Sequence, residues 1–295
     1  MPNNAQNSHN SSDVADLSSV CRRDSDLEAP AHLLSAHGTG YPLVLAYHHL
    51  SEGIPQYRYD LSTADFENHL QMFAAVASGG LVTSAHPVVT FDDGYECNHS
   101  LALPLLEEHN VKGTFFLIVG RIERHPKSMT WRHVNELVSL GHEVGAHSWS
   151  HPFLTQCTEA QLRKELLYAK DTLEDELGTA VTSLSVPHGR FNNRVLDACA
   201  EYGYRNIYTS DFWCDVRVRS GITIAGRLMV HSKMRSDSIR RLLTMTRLRL
   251  HCESGRYRIK RFLRRAIGDQ LYHHLWIQVS GWTGSSTDIG VEESR

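Results

Sequence analysis

No stretch of this 295-residue chain stays apolar for the ~18 residues that a membrane-spanning helix needs. Mean hydropathy is −0.34, which fits a soluble globular protein. The six cysteines (Cys21, Cys97, Cys157, Cys199, Cys214 and Cys252) contain no C-x-x-C pair. Their spacing therefore suggests neither a disulfide framework nor a zinc knuckle, and reduced thiols in a reducing compartment are expected. The first 30 residues lack the basic start and apolar stretch of a secretory leader. They are polar and rich in Asn, Ser and Asp, and a disordered tail is expected over residues 1–40. With Met1 as the start, the expected location is cytoplasmic. A net charge of −3 offers no general attraction to nucleic acid, and no nucleic-acid partner is expected.

From residue 41 onward, short apolar runs alternate with helical patterns. Strands are expected at 41–48, 87–93, 113–119, 142–148, 181–187, 205–210 and 222–230. Continuous apolar runs of this length suit strands buried on both faces of a parallel sheet. Helices are expected at 63–77, 131–140, 158–177 and 192–202. Thr158, three positions before Gln161, opens one with a capping box, and Gly178 closes it. Repeated β-α units point to an α/β architecture, and seven strands suit a distorted (β/α) barrel. In such barrels the chemistry gathers at the C-terminal ends of the strands.

Two motifs fall at those ends. Thr90-Phe91-Asp92-Asp93-Gly94 ends the second strand. Adjacent carboxylates repel when they share a pocket, and neighbouring strand residues face opposite sides. A bend at Gly94 is needed to bring both carboxylates together; otherwise the motif is an ordinary Asp-Gly turn. His147-Ser148-Trp149-Ser150-His151-Pro152 ends the fourth strand. Two histidines four apart converge on one ion if the chain turns between them. One carboxylate and two imidazoles form a donor set for a divalent metal that leaves positions open for water and substrate.

With these motifs the chain resembles the polysaccharide deacetylases, the NodB-homology family of carbohydrate esterases. TFDDG at 90–94 and HSWSH at 147–151 match that family's first two motifs. GTFFLIVG at 113–120 matches the strand between them, and LAYHHLSE at 45–52 resembles the lead-in of the branch acting on exopolysaccharide and related glycans. The resemblance covers roughly residues 41–231. It implies a distorted barrel of about seven strands, with Asp93, His147 and His151 holding the metal and Asp92 as catalytic base. It implies one divalent ion, zinc first, with cobalt, iron, manganese or nickel as alternatives. The implied reaction is hydrolysis of an N-acetyl group on a carbohydrate, with deformylation, O-deacetylation or non-catalytic carbohydrate binding as alternatives.

The later motifs depart from the family pattern. The third usually carries an Arg before its Pro, and that Arg braces the catalytic Asp. Here Ser185-Val186-Pro187-His188-Gly189-Arg190 has no such Arg, and Arg190 reads as a surface loop residue. Pro187 and His188 are expected at the substrate, as is His48 on the first strand. Trp213, with Asp215 nearby, is the candidate pocket wall of the fourth motif, and ordinary core is the alternative. The fifth motif, L-x-H, supplies the general acid, and His231 is the candidate. Counted from Leu228 it stands one residue too far, a shift that would turn it to the wrong face.

Residues 233–265 hold twelve Lys or Arg against Asp237 and Glu253, a net +10, which leaves −13 for the rest of the chain. A helical apolar stripe follows over 256–276. A basic helical extension is therefore expected over 232–280, and a flexible tail over 281–295. The extension either packs on the barrel or meets an anionic membrane surface or a phosphate-bearing substrate. The second alternative would make the protein peripheral to the membrane.

Overall fold

A computed structural model describes residues 41–80, 85–212, 216–219, 221–246, 248–249, 252 and 255. The expected tails at 1–40 and 281–295, the apolar stripe at 256–276 and Trp213 lie outside the described residues.

The chain runs β1 (Tyr41–Tyr47), β2 (His49–Ser51), β3 (Asp60–Ser62), α1 (Thr63–Ala77) and β4 (Ala85–Phe91). A π-helical turn, Asn98–Ala102, leads into α2 (Leu103–Glu108), β5 (Gly113–Leu117), α3 (Trp131–Ser139) and β6 (Glu143–Ala146). Then come α4 (Glu159–Arg163), a second π-helical turn at Lys164–Tyr168, α5 (Ala169–Leu177), β7 (Ser183–Ser185) and α6 (Asn193–Glu201). The chain continues through β8 (Asn206–Thr209), β9 (Arg217–Arg219), β10 (Ile222–Gly226), β11 (Leu228–Met229) and α7 (Ser236–Thr244).

Neighbours in the main sheet follow the order β11-β1-β4-β5-β6-β7-β8-β10-β9, and only the β9–β10 pair is antiparallel. β10 and β11 are one extended run interrupted at Arg227. Its first part pairs with β8, as in Ala225 with Tyr208, and its second with β1, as in Leu228 with Leu45. The pairing thus returns to the first strand and closes a seven-strand circuit, the expected distorted barrel.

Strand alternation divides the side chains into two cores. Val44, Val88, Phe116, Tyr208 and Ala225 form a small buried cluster of their own, the inside of the barrel. Residues of the other parity, such as Leu45, Phe91, Phe115 and Leu184, join the large core beneath the helices. Helix ends follow local chemistry. Thr158 Oγ1 accepts the Gln161 N–H while Gln161 Oε1 accepts the Thr158 N–H at 2.8 Å, and Gly178 closes α5 at φ 64°.

The expected strands are trimmed at their C-terminal ends, where the chain leaves the ladder to build loops. The run expected at 181–187 is paired only over Ser183–Ser185, because Pro187–Gly189 forms a 3₁₀ turn. The helix expected at 158–177 contains the π turn, and β2, β3, β9, α2 and α7 carry too few periodic residues to stand out. α7 opens the basic segment, yet Ile239 and Leu243 are fully buried and the Tyr41 hydroxyl donates to the Met245 carbonyl at 3.0 Å. This part of the extension packs on the barrel. Among the described residues no helix is long and apolar enough to cross a membrane.

Candidate active site

β4 points Val88, Thr90 and Asp92 into the barrel. Beyond Phe91 the chain leaves the strand, and Asp93 and Gly94 both adopt left-handed backbone, φ 72° and 70°. The bend therefore begins at Asp93 itself, one residue earlier than the glycine suggested, and it swings the second carboxylate round to the same pocket. Gly94 is required: a Cβ there would sit 2.9 Å from Leu117 Cδ2. The half-buried Tyr95 hydroxyl donates to Asp93; burial, the Asp93 charge and this bond together raise its pKa.

β6 delivers His147 in the same way. Its ring Nδ1 lies 2.8 Å from the Ser185 carbonyl, which only accepts, so Nδ1 carries the proton and Nε2 presents a lone pair. Ser148 (φ 63°) and His151 (φ 67°) are also left-handed, and they return the chain so that His151 faces His147. His147 Nε2 is 3.6 Å and His151 Nε2 3.7 Å from Asp93 Oδ1. Ligands ~2.1 Å from a tetrahedral ion are ~3.4 Å apart, so the set Asp93, His147, His151 fits a divalent cation. Burial, the largest influence on both rings, pushes His147 down to about 4 and His151 down to about 3. Both are therefore neutral near pH 7, as metal ligation requires. Left-handed non-glycine backbone is otherwise sparse, and its cost of roughly 1–3 kcal/mol per residue is typical of functional sites.

Asp92 Oδ2 lies 4.0 Å from His147 Nε2, and Asp92 is clamped from behind by Arg227. The Arg227 Nη1 and Nη2 each donate to one Asp92 oxygen at 2.7 Å. Arg227 also donates to Ser185 Oγ at 2.7 Å, Thr90 Oγ1 at 3.1 Å and the Thr209 carbonyl at 3.3 Å. Burial would raise the Asp92 pKa. The Arg227 charge and hydrogen bonds, with the nearby His147, overcome that and hold the carboxyl well below the usual range. The brace expected before Pro187 thus comes from the last strand. Sequence reasoning passed over Arg227 as part of an apolar run. The available signal was a lone Arg inside a strand otherwise buried on both faces, since an arginine there needs a carboxylate partner.

The remaining candidates divide. His48 stacks on Tyr59 (ring centroids 5.0 Å apart) and lies close enough to Asp92 and His151 to influence both. Its Nδ1 is buried without a hydrogen-bond partner. Pro187 is buried, and it opens the 3₁₀ turn. His188 turns to its neighbour: Nε2 meets the His151 carbonyl at 3.3 Å and its ring stacks on Phe153 at 4.1 Å. Arg190 is laid over the Phe153 ring at 4.7 Å. Leu228 and Val230 are buried in the outer core, so by alternation Met229 and His231 lie on the opposite face, the one Arg227 takes. His142 lies at the opposite end of its strand, where it accepts the Gly113 N–H at 3.1 Å.

A second cluster, Glu96, His99 and His133, also brings possible ligand atoms together. Its two rings are stacked 4.1 Å apart and nearly parallel, at 13°. Their in-plane lone pairs run side by side instead of converging. His133 Nδ1 is also engaged by the Thr130 N–H at 3.4 Å. This pair is a helix-capping and stacking arrangement.

Residues 83–207 match the family model described as polysaccharide deacetylase. An uncharacterized 30.6 kDa protein of Geobacillus stearothermophilus is 36% identical over 132 residues, 44% of this chain and 48% of that one. The peptidoglycan-N-acetylglucosamine deacetylase PgdA of Listeria monocytogenes is 32% identical over 116 residues, 39% of this chain and 24% of that one. The chain thus spans half or less of the length of these relatives. In fold, the Streptococcus pyogenes deacetylase PplD in complex with acetate aligns with a TM-score of 0.61 at 20% identity, over 70% of this chain and 99% of that one. Sequence motifs, barrel and the match of residues 83–207 to the polysaccharide deacetylase model agree with one another.

Proposed function

We propose that the protein hydrolyses an N-acetyl group on a carbohydrate, using a divalent ion held by Asp93, His147 and His151. The observation that carries this reading is the pairing of the His-His-Asp set with a second, Arg-braced carboxylate 4.0 Å from His147. Binding alone has no need of an ionised base beside a cation. The ion supplies Lewis acidity and lowers the pKa of a water it binds. Zinc suits two imidazoles and a carboxylate, and cobalt, iron, manganese and nickel share these donors.

The chain's own groups do the rest. Arg227 keeps Asp92 ionised, so its carboxylate is ready to accept the proton of the attacking water. His147 is locked in one tautomer by Ser185. His231 is the proposed acid for the departing amine, and it can donate only as the imidazolium, with Nδ1 released from the Lys233 N–H that it accepts at 3.3 Å in the neutral ring. Burial, with Arg58 and Lys233 nearby, lowers its pKa, so the imidazolium gives up its proton readily once formed. His48 and Pro187 are the proposed contacts for the acetylated sugar. The names of relatives, a peptidoglycan-N-acetylglucosamine deacetylase among them, support an N-acetylated glycan as substrate.

The test is acetate release from N-acetylglucosamine oligomers by protein stripped of metal and then resupplied with Zn²⁺ or Co²⁺. Metal-dependent acetate release is expected. Turnover only of formylated or O-acetylated analogues in the same panel would move the substrate class, and no turnover of any would refute the hydrolase.

A further inference from the structure

We infer that Glu165 is a positioning residue for the His147–His151 loop, and that the π-helical turn exists to put it there. The inference rests on the metal reading above and concerns how this chain shapes the site.

The segment Ser148-Trp149-Ser150 joins the two histidines, and its backbone is under strain, with left-handed φ at Ser148 and at His151. Within the loop the Ser148 hydroxyl accepts the His151 N–H at 2.9 Å. The Ser148 and Trp149 carbonyls accept the Val119 and Gly120 N–H groups at 3.1 and 2.9 Å, while the donors of Trp149 and Ser150 are met by Glu165. Glu165 Oε2 accepts the Ser150 N–H at 2.7 Å, and Glu165 Oε1 accepts the Ser150 hydroxyl at 2.7 Å. The Glu165 backbone carbonyl accepts the Trp149 N–H at 3.1 Å. Glu165 is 6% exposed, and its two side-chain bonds to Ser150 are charge-assisted and part-buried.

The π turn at Lys164–Tyr168 explains the reach. A π turn inserts one residue into the helix and leaves a carbonyl without its usual i+4 donor. Here that irregularity separates α4 from α5, and the Glu165 carbonyl bonds outward to the loop. A regular helix would spend that carbonyl internally and rotate the residues after the insertion by about 100°. The side chain and main chain of a single residue thus hold two residues, Trp149 and Ser150, of the three-residue bridge between the ligands. Its hydrogen bonds go to the bridge, through the Trp149 N–H and both Ser150 donors.

The chemistry of the clamp sets the test. In Glu165→Gln the amide oxygen still accepts the Ser150 N–H, and the Ser150 hydroxyl can rotate to accept from the amide N–H₂. In Glu165→Ala both bonds vanish. Co²⁺ is titrated into metal-free full-length protein, following visible absorption, with circular dichroism to verify folding. Glu165→Ala is expected to bind Co²⁺ roughly 10–100-fold more weakly, the range for losing partners that orient metal ligands, with an altered absorption band. Glu165→Gln should stay within about threefold of wild type by the same measure. A merely structural role would lower the melting temperature of the metal-free protein and leave affinity and spectrum unchanged. Folded Glu165→Ala with wild-type affinity and spectrum overturns the inference. If that variant fails to fold, Ser150→Ala decides: a loss of threefold or more supports the clamp, and unchanged affinity overturns it. Wild-type protein that binds no Co²⁺ overturns the metal reading and takes the inference with it.

Discussion

Replacing Arg227 with Met should destabilise the protein more at neutral than at acid pH. Arg227 is wholly buried and Asp92 only 2% exposed, so the variant leaves a carboxylate in the barrel without its cation. Breaking a buried pair from one side costs about 3–5 kcal/mol. For a domain of this size, at about 2–4 °C per kcal/mol, that is a fall in Tm of about 6–20 °C. The pH dependence tests the cause. In the wild type the folded Asp92 pKa lies below its ordinary value of about 3.9. Its stabilising contribution is therefore present above pH ~3.9 and lost as pH falls through the folded value. In Arg227→Met burial is left as the dominant influence, and it raises the folded pKa above the unfolded one. Stability is then lost as pH rises through that window, so the gap between the two proteins should widen between pH 4.5 and pH 7.5. Urea unfolding of both proteins in chelator, at a series of pH values, measures this directly. A loss below about 1 kcal/mol, against the 3–5 expected, or one equal at both pH values, would show that Arg227 does not hold the Asp92 charge.

Removing either imidazole, in His147→Ala or His151→Ala, should weaken Zn²⁺ binding and abolish turnover while circular dichroism stays near wild type; full metal occupancy in the double variant would contradict the ligand set. The two aspartates should separate cleanly. Asp92→Asn is expected to retain the metal and lose activity, and Asp93→Asn to lose the metal itself; near-normal turnover by Asp92→Asn at saturating metal would remove Asp92 as base. His231→Ala should lose the basic limb of the pH–rate profile, and an unchanged profile would turn attention to His48. Gly94→Ala meets both a φ of 70° and Leu117 Cδ2 at 2.9 Å. It should lower stability by about 1–3 kcal/mol and weaken metal binding through Asp93, and a melting temperature equal to wild type would argue against the bend.

Much of the barrel was legible because strands buried on both faces must be continuously apolar, and each helix between them carries a 3.6-residue stripe and local caps. Thr158 with Gln161, and Gly178, marked helix ends by chemistry that operates within four residues. The candidate ligands were legible for a related reason. Asp92, Asp93, His147 and His151 sit in two short motifs at strand ends, where a polar cluster interrupts an apolar run.

What the sequence by itself could not decide depends on residues far apart in the chain meeting in space. Arg227 reaches Asp92 across 135 positions, because the last strand leaves β8 at that residue and closes on β1; no local pattern records which strands become neighbours. The face that His231 takes likewise follows from the burial of Leu228 and Val230 in the outer core, not from counting back to a leucine. Glu165 reads as one more acid on an amphipathic helix, and only the π turn and the packing of that helix against the His147–His151 loop give it two donors. Composition and periodicity determine which segments become strands and helices, because those preferences act over a few residues. Closure of the barrel determines which charges share a pocket, because a buried charge is tolerated only where the fold supplies its partner.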